Sequence, residues 1–288
     1  MHPFEIKEIQ SKTILSRSSL KDVDYDYSCN PYVGCQFGCV YCYASFMARM
    51  VGKKTNDWGH FVYAKMNAPD LLKEEIAKLK NRGKGKTIWF SSVTDPYQGL
   101  ETKYQLTRKC LQILVDSKYE GKVSFLTKSN LVLRDIDIFK QLKDVEVGMT
   151  ITSTDDSISR YFEKYAPPVT ARLGALKKLH DEKIKTYAFI GPLLPHFIAN
   201  EHELMKLFAS IRDAGVTEIY FEFLNLSSYI RSRLKNELKD LDIRIWNEFY
   251  ASQKKDYRED LEKVVYALVK KYGFKLRIEK ALYHKEMQ

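Results

Sequence analysis

Three cysteines within one short stretch are the residues of this sequence best suited to chemistry. Cys35, Cys39 and Cys42 have the spacing C-x3-C-x2-C, and Tyr41 stands just before the last of them. A tight loop of this length can aim three thiolates at three corners of one iron–sulfur cube. Four-iron clusters usually take four cysteines, so three cysteines leave one iron with an open coordination position. An open metal position binds a small ligand, as it does in catalytic zinc sites.

Zinc is the alternative that the same residues leave open. The three cysteines could hold zinc tetrahedrally if Cys29 or His60 supplied the fourth ligand. Zinc sites usually pair their cysteines as two C-x2-C units, and this sequence has no second unit. The spacing therefore favours an iron–sulfur cluster, and a zinc-stabilised nucleic-acid-binding module without catalysis is the rival hypothesis.

The wider stretch Asn30-Pro-Tyr-Val-Gly-Cys-Gln-Phe-Gly-Cys-Val-Tyr-Cys-Tyr-Ala44 resembles the radical S-adenosylmethionine (SAM) superfamily, and more specifically its spore photoproduct lyase-like branch. The resemblance implies that the three cysteines hold a [4Fe–4S] cluster and that the open iron binds SAM. Reduction then cleaves SAM to methionine and a 5′-deoxyadenosyl radical, which abstracts hydrogen from a substrate. A flavodoxin- or ferredoxin-like reductant is the implied electron donor.

The elements that must position this loop follow it in an alternating order. Short apolar runs alternate with segments of helical periodicity, which predicts βαβ units and a parallel sheet. The resemblance, which covers residues 28–225, implies a partial (β/α)6 TIM-type barrel. Strands are predicted at 60–64, 87–91, 122–127, 145–152, 185–190 and 218–223, and helices at 69–81, 104–117, 131–142, 170–183 and 201–214.

The chain divides into three predicted regions. Residues 1–27 form an N-terminal extension, residues 28–226 the barrel, and residues 227–288 a helical cap. Two long helices are predicted within the cap, at 229–250 and 252–272.

Polar residues follow several strands of the predicted barrel. Sites of parallel barrels are built at the carboxyl ends of their strands. The resemblance implies that Lys128 pairs with the SAM carboxylate. Turns or helix caps are the alternative roles for the residues at these strand ends. The other implied contacts are Ser92, Thr94 and Asp95 to the SAM amino group, Thr152 and Ser153 to its ribose or methionine, and Gly191 and Asn225 to its adenine, with the substrate as a second possibility for Asn225.

Hydrogen transfer is the role that the resemblance implies for Tyr43, which directly follows the last cysteine. Tyr41 is predicted to contact the cofactor, and Cys29 is a candidate hydrogen donor. Spore photoproduct lyase carries its hydrogen-donor cysteine in a loop that resembles Ser91-Ser92-Val93-Thr94-Asp95, where this chain has no thiol. We therefore expect no efficient repair of the spore thymine dimer.

Composition bounds the remaining possibilities. The 288 residues contain 44% hydrophobic and 29% charged residues, as in an ordinary globular protein. No apolar run is long enough to span a membrane and no signal peptide is apparent, which predicts a cytoplasmic protein, expected as a monomer. The net charge of +10 favours a polyanionic partner, nucleic acid first. Peptides and small molecules remain alternative substrates.

Overall fold

The computed structural model describes residues 4–18 and 25–282. None of the helices in these ranges is long and apolar enough to cross a bilayer. The strands are β1 (Glu5–Ile9), β2 (Leu15–Arg17), β3 (Tyr27–Cys29), β4 (Tyr32–Val33), β5 (Phe61–Lys65), β6 (Thr87–Phe90), β7 (Lys122–Thr127), β8 (Asp144–Thr150), β9 (Lys185–Leu193), β10 (Glu218–Phe223) and β11 (Lys275–Leu276).

The α-helices cover most of the connections between these strands. They are α1 (Ala68–Ala77), α2 (Glu101–Tyr104), α3 (Leu106–Asp116), α4 (Ile136–Phe139), α5 (Asp156–Phe162), α6 (Val169–Asp181), α7 (Glu201–Asp213), α8 (Ser228–Glu237), α9 (Ile243–Ala251) and α10 (Lys255–Tyr272). Shorter 3-10 helices run over Tyr43–Val51, Thr55–Asp57, Lys80–Gly83 and Asn130–Asp135.

The larger sheet has the order β11-β10-β9-β8-β7-β6-β3-β2, and its strands are parallel except for β2. This confirms the predicted α/β class with a mostly parallel sheet. No pairing closes the sheet into a ring within the described residues. The count of six βα units and the helical cap therefore stay predictions.

Some predicted elements differ from the structure. The strand predicted at 60–64 is β5, which pairs with β1 and β4 in a separate three-stranded sheet. β5 is parallel to β1 and antiparallel to β4. The single helix predicted at 229–250 is wrong: α8 and α9 are separate, because Asp242 accepts a hydrogen bond from the Arg244 amide at 2.7 Å and caps a new helix.

Helices on the α/β core also begin and end differently from the prediction. The predicted helix at 104–117 is interrupted at Gln105, which has a φ of 53°. The one predicted at 131–142 starts as the 3-10 helix Asn130–Asp135 and continues as α4. By contrast, α7 begins where predicted, since Asn200 Oδ1 accepts from the Glu203 amide at 3.0 Å.

An ion-pair network lies on the main sheet near the amino ends of its strands. Glu146 on β8 accepts hydrogen bonds from Arg277 at 2.7 and 2.9 Å and pairs with Lys122 at 2.7 Å. The Arg277 guanidinium also lies over the rings of Tyr187 and Tyr220, at 4.3 and 5.1 Å. Each buried charge of this network thus faces an opposite charge or an aromatic ring.

Candidate active site

Close backbone packing fixes the loop that carries the three cysteines. A side chain at Gly34 would collide with the carbonyl oxygen of Phe61, and Gly34 has a φ of 87° that other residues rarely adopt. A Cβ on Gly59 would lie 2.8 Å from the Cα of Gly38. Each of these glycines therefore lets a backbone segment approach another, and together they hold the loop against β5 and the segment before it.

The three cysteines of the loop are shielded from solvent and influence one another. Cys35 and Cys39 are buried, and Cys42 is half-buried. Burial raises the pKa of each thiol, for Cys39 to about 12, although the nearby Lys128 ammonium acts in the opposite direction on Cys39 and Cys42. The surroundings thus combine a desolvated site with a cation that favours thiolates, as an anionic centre requires.

The three cysteines supply a donor set suited to an iron–sulfur cluster. Within residues 4–18 and 25–282, no group of three or more His, Cys, Asp or Glu side chains is arranged to hold a metal ion. A single zinc ion needs its ligands around one point. A four-iron cube takes each thiolate at a separate corner, and three thiolates on one loop are the donor chemistry that such a cluster requires.

A buried charge network lies beside the cysteine loop. The Tyr41 hydroxyl donates to one oxygen of Glu163, and the Arg172 guanidinium donates to the other. Ser159 Oγ also donates to Glu163, at 3.0 Å. Burial would raise the pKa of Glu163, but Arg172 and Lys128 outweigh it and lower that pKa. The carboxylate is therefore held in its charged form next to the loop.

Sequence reasoning missed Glu163 and Arg172. Both are residues that usually lie on the surface, and the chain gives no local motif for them. A signal did exist for Arg172, because it stands in helical spacing with Val169, Leu176 and Leu179, which are all buried in α6. An arginine within such an apolar stripe predicts a buried partner.

Lys128 directly follows the carboxyl end of β7, and its charge acts on Cys39 and Cys42. Its side chain is 17% exposed, and its Nζ is 3.9 Å from Glu163 and 5.8 Å from the centre of the Tyr41 ring. Burial would lower its pKa, but the negative charges of Cys39 and Glu163 outweigh that effect and raise it. No hydrogen bond of Nζ is found in the described part of the chain, so the donors of a charged, buried ammonium are left for another group.

The loop after β6 joins Lys128 to the cysteine loop. Asp95 accepts hydrogen bonds from Thr127 Oγ1 at 2.7 Å and from the amides of Lys128 and Tyr97 at 2.9 Å. Burial raises its pKa against these three donors. Thr94 Oγ1 donates to the Gly34 carbonyl at 2.5 Å. Asp95 and Thr94 therefore orient the two loops, in addition to any contact with a ligand.

Tyr43, which follows the last cysteine, contacts Ser92 in the loop after β6. The Tyr43 hydroxyl donates to the Ser92 carbonyl, and the Tyr43 carbonyl accepts from the Tyr229 hydroxyl at 3.0 Å. Ser92 Oγ accepts from Asn30 Nδ2 at 3.3 Å. The structure thus brings Tyr43 and Ser92 together between the cysteine loop, the end of β6 and helix α8.

Three buried hydroxyls, after β6, after β8 and in the 3-10 helix behind the cysteine loop, lack partners in the described part of the chain. The hydroxyls are Thr152 Oγ1, Ser91 Oγ and Ser45 Oγ, and no residue of 4–18 or 25–282 bonds them. Most buried polar groups are paired, so an orphaned hydroxyl calls for an absent partner. Ser153 differs, because its Oγ accepts from the Asp155 amide at 2.9 Å and forms a turn. A polar ligand near the end of β8 would supply the partner that Thr152 lacks.

Three predicted residues have mainly structural surroundings. Cys29 does not face the other cysteines; it lies in the core between the sheet and α1 and α3, beside Cys110. Asn225 Oδ1 accepts from the Ser227 amide at 2.9 Å, just before α8. A Cβ on Gly191 would lie 2.8 Å from the Cβ of Glu222, so β9 and β10 are close there.

Known proteins are similar to this chain in sequence. The family model of the radical SAM superfamily matches residues 29–219. An uncharacterised protein of Methanocaldococcus jannaschii is 38% identical over 226 residues, which cover 78% of this chain and 79% of that protein. An uncharacterised protein of Acidianus two-tailed virus is 28% identical over 235 residues, covering 76% of this chain and 75% of that one.

Solved structures give the same fold. Spore photoproduct lyase complexed with dinucleoside spore photoproduct superposes with a TM-score of 0.71 at 15% identity, covering 95% of this chain and 82% of that one. A mutant of that lyase with bound AdoMet and the same dinucleoside has a TM-score of 0.71 at 14% identity, with the same coverage. At such identities the likeness shows the fold alone.

Proposed function

The chain belongs to the radical SAM superfamily and is a radical SAM enzyme that uses a [4Fe–4S] cluster and SAM, and on that premise we propose that Cys35, Cys39 and Cys42 ligate the cluster and that the substrate is a nucleic acid base or lesion. The chemistry supplied by the bound cluster is the one-electron reductive cleavage of SAM. The residues of this chain must hold SAM, exclude water and present the substrate.

Lys128 is the residue whose surroundings best support a SAM site. Its ammonium is largely buried and charged, makes no hydrogen bond within the described residues, and has Glu163 as the one carboxylate within 4.0 Å there. A carboxylate of SAM at this place would satisfy its donors in a partly dry site, where a charge pair is stronger than on the surface. This ammonium without a hydrogen-bond acceptor, beside the thiols of the cysteine loop, is the observation that carries the proposal.

The other predicted contacts have supporting but weaker surroundings. Thr152 has a free buried hydroxyl near the end of β8 and is proposed to bond the ribose or methionine part of SAM. Tyr43 contacts the end of β6 and is proposed to act near the reacting hydrogen. The remaining residues are proposed for the contacts that the resemblance implies: Ser92, Thr94 and Asp95 at the amino group, Ser153 at the ribose or methionine part, Tyr41 at the cofactor, Gly191 at the adenine, and Asn225 at the adenine or the substrate.

The proposed architecture follows the same premise. Residues 28–226 would form the partial (β/α)6 barrel, residues 227–288 the helical cap over it, and residues 1–27 the extension. The contact between Tyr229 on α8 and Tyr43 after the last cysteine supports the placement of the cap against the cysteine loop. A flavodoxin- or ferredoxin-like protein is the proposed reductant.

Two observations support a nucleic acid substrate. The chain carries a net charge of +10, which attracts phosphates. The fold resembles a lyase whose solved complex holds a dinucleoside lesion. The outcome of the reaction should differ from that of the lyase, since Ser91 and Ser92 stand where its thiol is expected and Cys29 lies in the core beside Cys110.

The test is SAM cleavage by the anaerobically reconstituted protein. With dithionite and SAM, iron-loaded protein should form 5′-deoxyadenosine, measured by chromatography. Single-stranded DNA, duplex DNA, tRNA and a mixed peptide pool are then added in parallel, and the substrate class is the one that accelerates formation. Absence of 5′-deoxyadenosine from iron-loaded protein would contradict the enzyme assignment, and acceleration by peptide alone would replace nucleic acid as substrate.

A further inference from the structure

A buried arginine of helix α8 points at the cysteine loop without an acidic partner. Arg233 is 1% exposed. Its Nη1 donates to the carbonyls of Thr55 at 2.6 Å and Trp58 at 3.4 Å, and its Nη2 donates to the carbonyl of Cys39 at 3.4 Å. Its Nε has no hydrogen-bond partner among the residues that the structure describes. No carboxylate lies within ion-pair distance of it in residues 4–18 and 25–282, where Glu237 pairs with Lys164 instead, at 3.6 Å.

This arrangement is unfavourable for the protein by itself. Burial of a cation is costly unless an opposite charge compensates it, and backbone carbonyls carry only partial charges. Burial accordingly lowers the pKa of Arg233, while the negative charges of Cys42, Glu237 and Cys39 act against this. The guanidinium, which donates to the carbonyl of the proposed ligand Cys39, therefore lies beside the cysteine loop with only carbonyl partners among the described residues.

We propose that Arg233 compensates the negative charge of the cluster bound by Cys35, Cys39 and Cys42, and that helix α8 thereby raises the reduction potential of that cluster. The inference rests on the proposed function. Each thiolate adds a negative charge to the centre, and reduction adds one more electron. A nearby fixed cation stabilises the reduced form more than the oxidised form, and both net charge and hydrogen bonding are known to set cluster potentials.

Two features of the side chain separate a role of the charge from a role of the shape. The guanidinium is a planar fork that bonds several carbonyls at once, whereas an ammonium is a point charge. Lysine at this position keeps the charge and loses the fork. Glutamine keeps donors and loses the charge, and methionine keeps apolar volume without either. Arg231 on the same helix is exposed, so its replacement removes the same charge from the surface.

The experiment compares Arg233→Lys, Arg233→Gln and Arg233→Met with the wild-type chain and with Arg231→Met. All are reconstituted anaerobically, and we measure iron per chain, far-ultraviolet circular dichroism and the midpoint potential by an electron paramagnetic resonance-monitored redox titration. Arg233→Gln and Arg233→Met should have lower midpoint potentials than the wild type. Arg233→Lys should restore most of the difference, and Arg231→Met should match the wild type.

Iron content and midpoint potential together distinguish a failure of the proposed function from a failure of the inference about Arg233. If the wild-type chain binds no cluster, the proposed function fails and this inference fails with it. If the clusters load and the potentials of the Gln and Met variants equal the wild-type value, only the inference is overturned. If folded Gln and Met variants lose iron while the Lys variant keeps it, the charge itself is required and the inference stands. If folded Lys, Gln and Met variants all lose iron, the fork is what matters and the electrostatic role is wrong.

Discussion

Two buried arginines at different places in the molecule have opposite surroundings. Arg277, at the amino ends of the strands, bonds Glu146 with two nitrogens and lies over two tyrosine rings, and its pKa is raised because these contacts outweigh burial. Arg233, beside the cysteine loop, bonds only carbonyls within the described residues, and burial lowers its pKa. The first network is complete in the protein alone, and the second is not.

The same contrast holds for the lysines at the two ends of strand β7. Lys122 at the start of the strand pairs with Glu146 at 2.7 Å. Lys128 just after its end faces the cysteines and makes no hydrogen bond through its Nζ in the described chain, with Glu163 at 3.9 Å. A closed charge network indicates a structural role, whereas buried donors without acceptors indicate a place for an anionic ligand. The comparison therefore separates the scaffold from the site.

The largest expected effect is the loss of the cluster when a cysteine of the site is replaced. Cys39→Ala should abolish the cluster, because a four-iron centre with two remaining cysteine ligands is not held. Iron and sulfide per chain, measured after anaerobic reconstitution, should fall from about four of each, the content of a [4Fe–4S] centre, to background. Cys110→Ala is the matched control, since this thiol is equally buried but lies in the core beside Cys29. Full iron content in Cys39→Ala would contradict the ligand assignment.

The next effect is a loss of stability when the Arg277–Glu146 network at the amino ends of the strands is disrupted. Arg277→Met should lower the free energy of unfolding by about 3 kcal/mol, because it leaves the buried Glu146 carboxylate with a weaker set of partners. Urea denaturation followed by circular dichroism measures this. Iron content after reconstitution should stay at the wild-type level, which is the reverse of the result for Cys39→Ala.

A double variant tests the cause of that loss. Replacing Glu146 by leucine in the Arg277→Met chain removes the uncompensated carboxylate and should recover part of the stability. If the double variant is less stable than Arg277→Met by a further similar amount, the loss comes from packing of Arg277 on Tyr187 and Tyr220, and the charge argument for this end is wrong.

The third effect concerns SAM affinity and compares the two lysines at the ends of β7. Lys128→Ala should weaken SAM binding to the iron-loaded protein at least tenfold, or about 1.4 kcal/mol, by loss of a charge pair in a partly dry site. Calorimetry with SAM measures it. Lys122→Ala is the matched control on the same strand and should leave SAM affinity unchanged while it lowers stability. Equal SAM affinity in wild type and Lys128→Ala, with the cluster intact, would remove Lys128 from the site.

The parts of this site that the sequence predicted are those with local signals. The cysteine spacing lies within eight residues, and Lys128 and Thr152 follow strands whose apolar pattern is clear. In a parallel sheet the carboxyl ends of the strands lie at one edge, so topology alone brings such residues together. The family, the α/β class and the cofactors could therefore be predicted without a structure.

The parts that were missed depend on contacts between distant segments. Tyr41 and Glu163 are 122 residues apart, and Arg233 is 194 residues from Cys39. Only tertiary packing decides whether such charged residues are buried. The break between α8 and α9 was missed for a related reason: charged residues fit the exposed face of one long helix as well as two short ones.

The smallest effect concerns pH and the closed network at the amino ends of the strands. Burial would raise the pKa of Glu146, but its hydrogen bonds from Arg277 and Lys122 outweigh burial, so the pKa is lowered. A carboxyl group with a lowered pKa in the folded state contributes stability above its unfolded pKa, and this contribution is lost as the pH falls through the folded value.

Glu146→Gln, which cannot ionise, should therefore be less stable than the wild type at neutral pH, and the difference should shrink as the pH is lowered below about 4, the range of an unfolded Glu. Urea denaturation of both chains between neutral and acid pH measures this difference and cancels the titration of all other groups. If the difference in unfolding free energy between the two chains is the same at every pH, Glu146 contributes through its shape and hydrogen bonds rather than its charge. The Arg277–Glu146 network would then not be matched by charge, and its contrast with Arg233 would be lost.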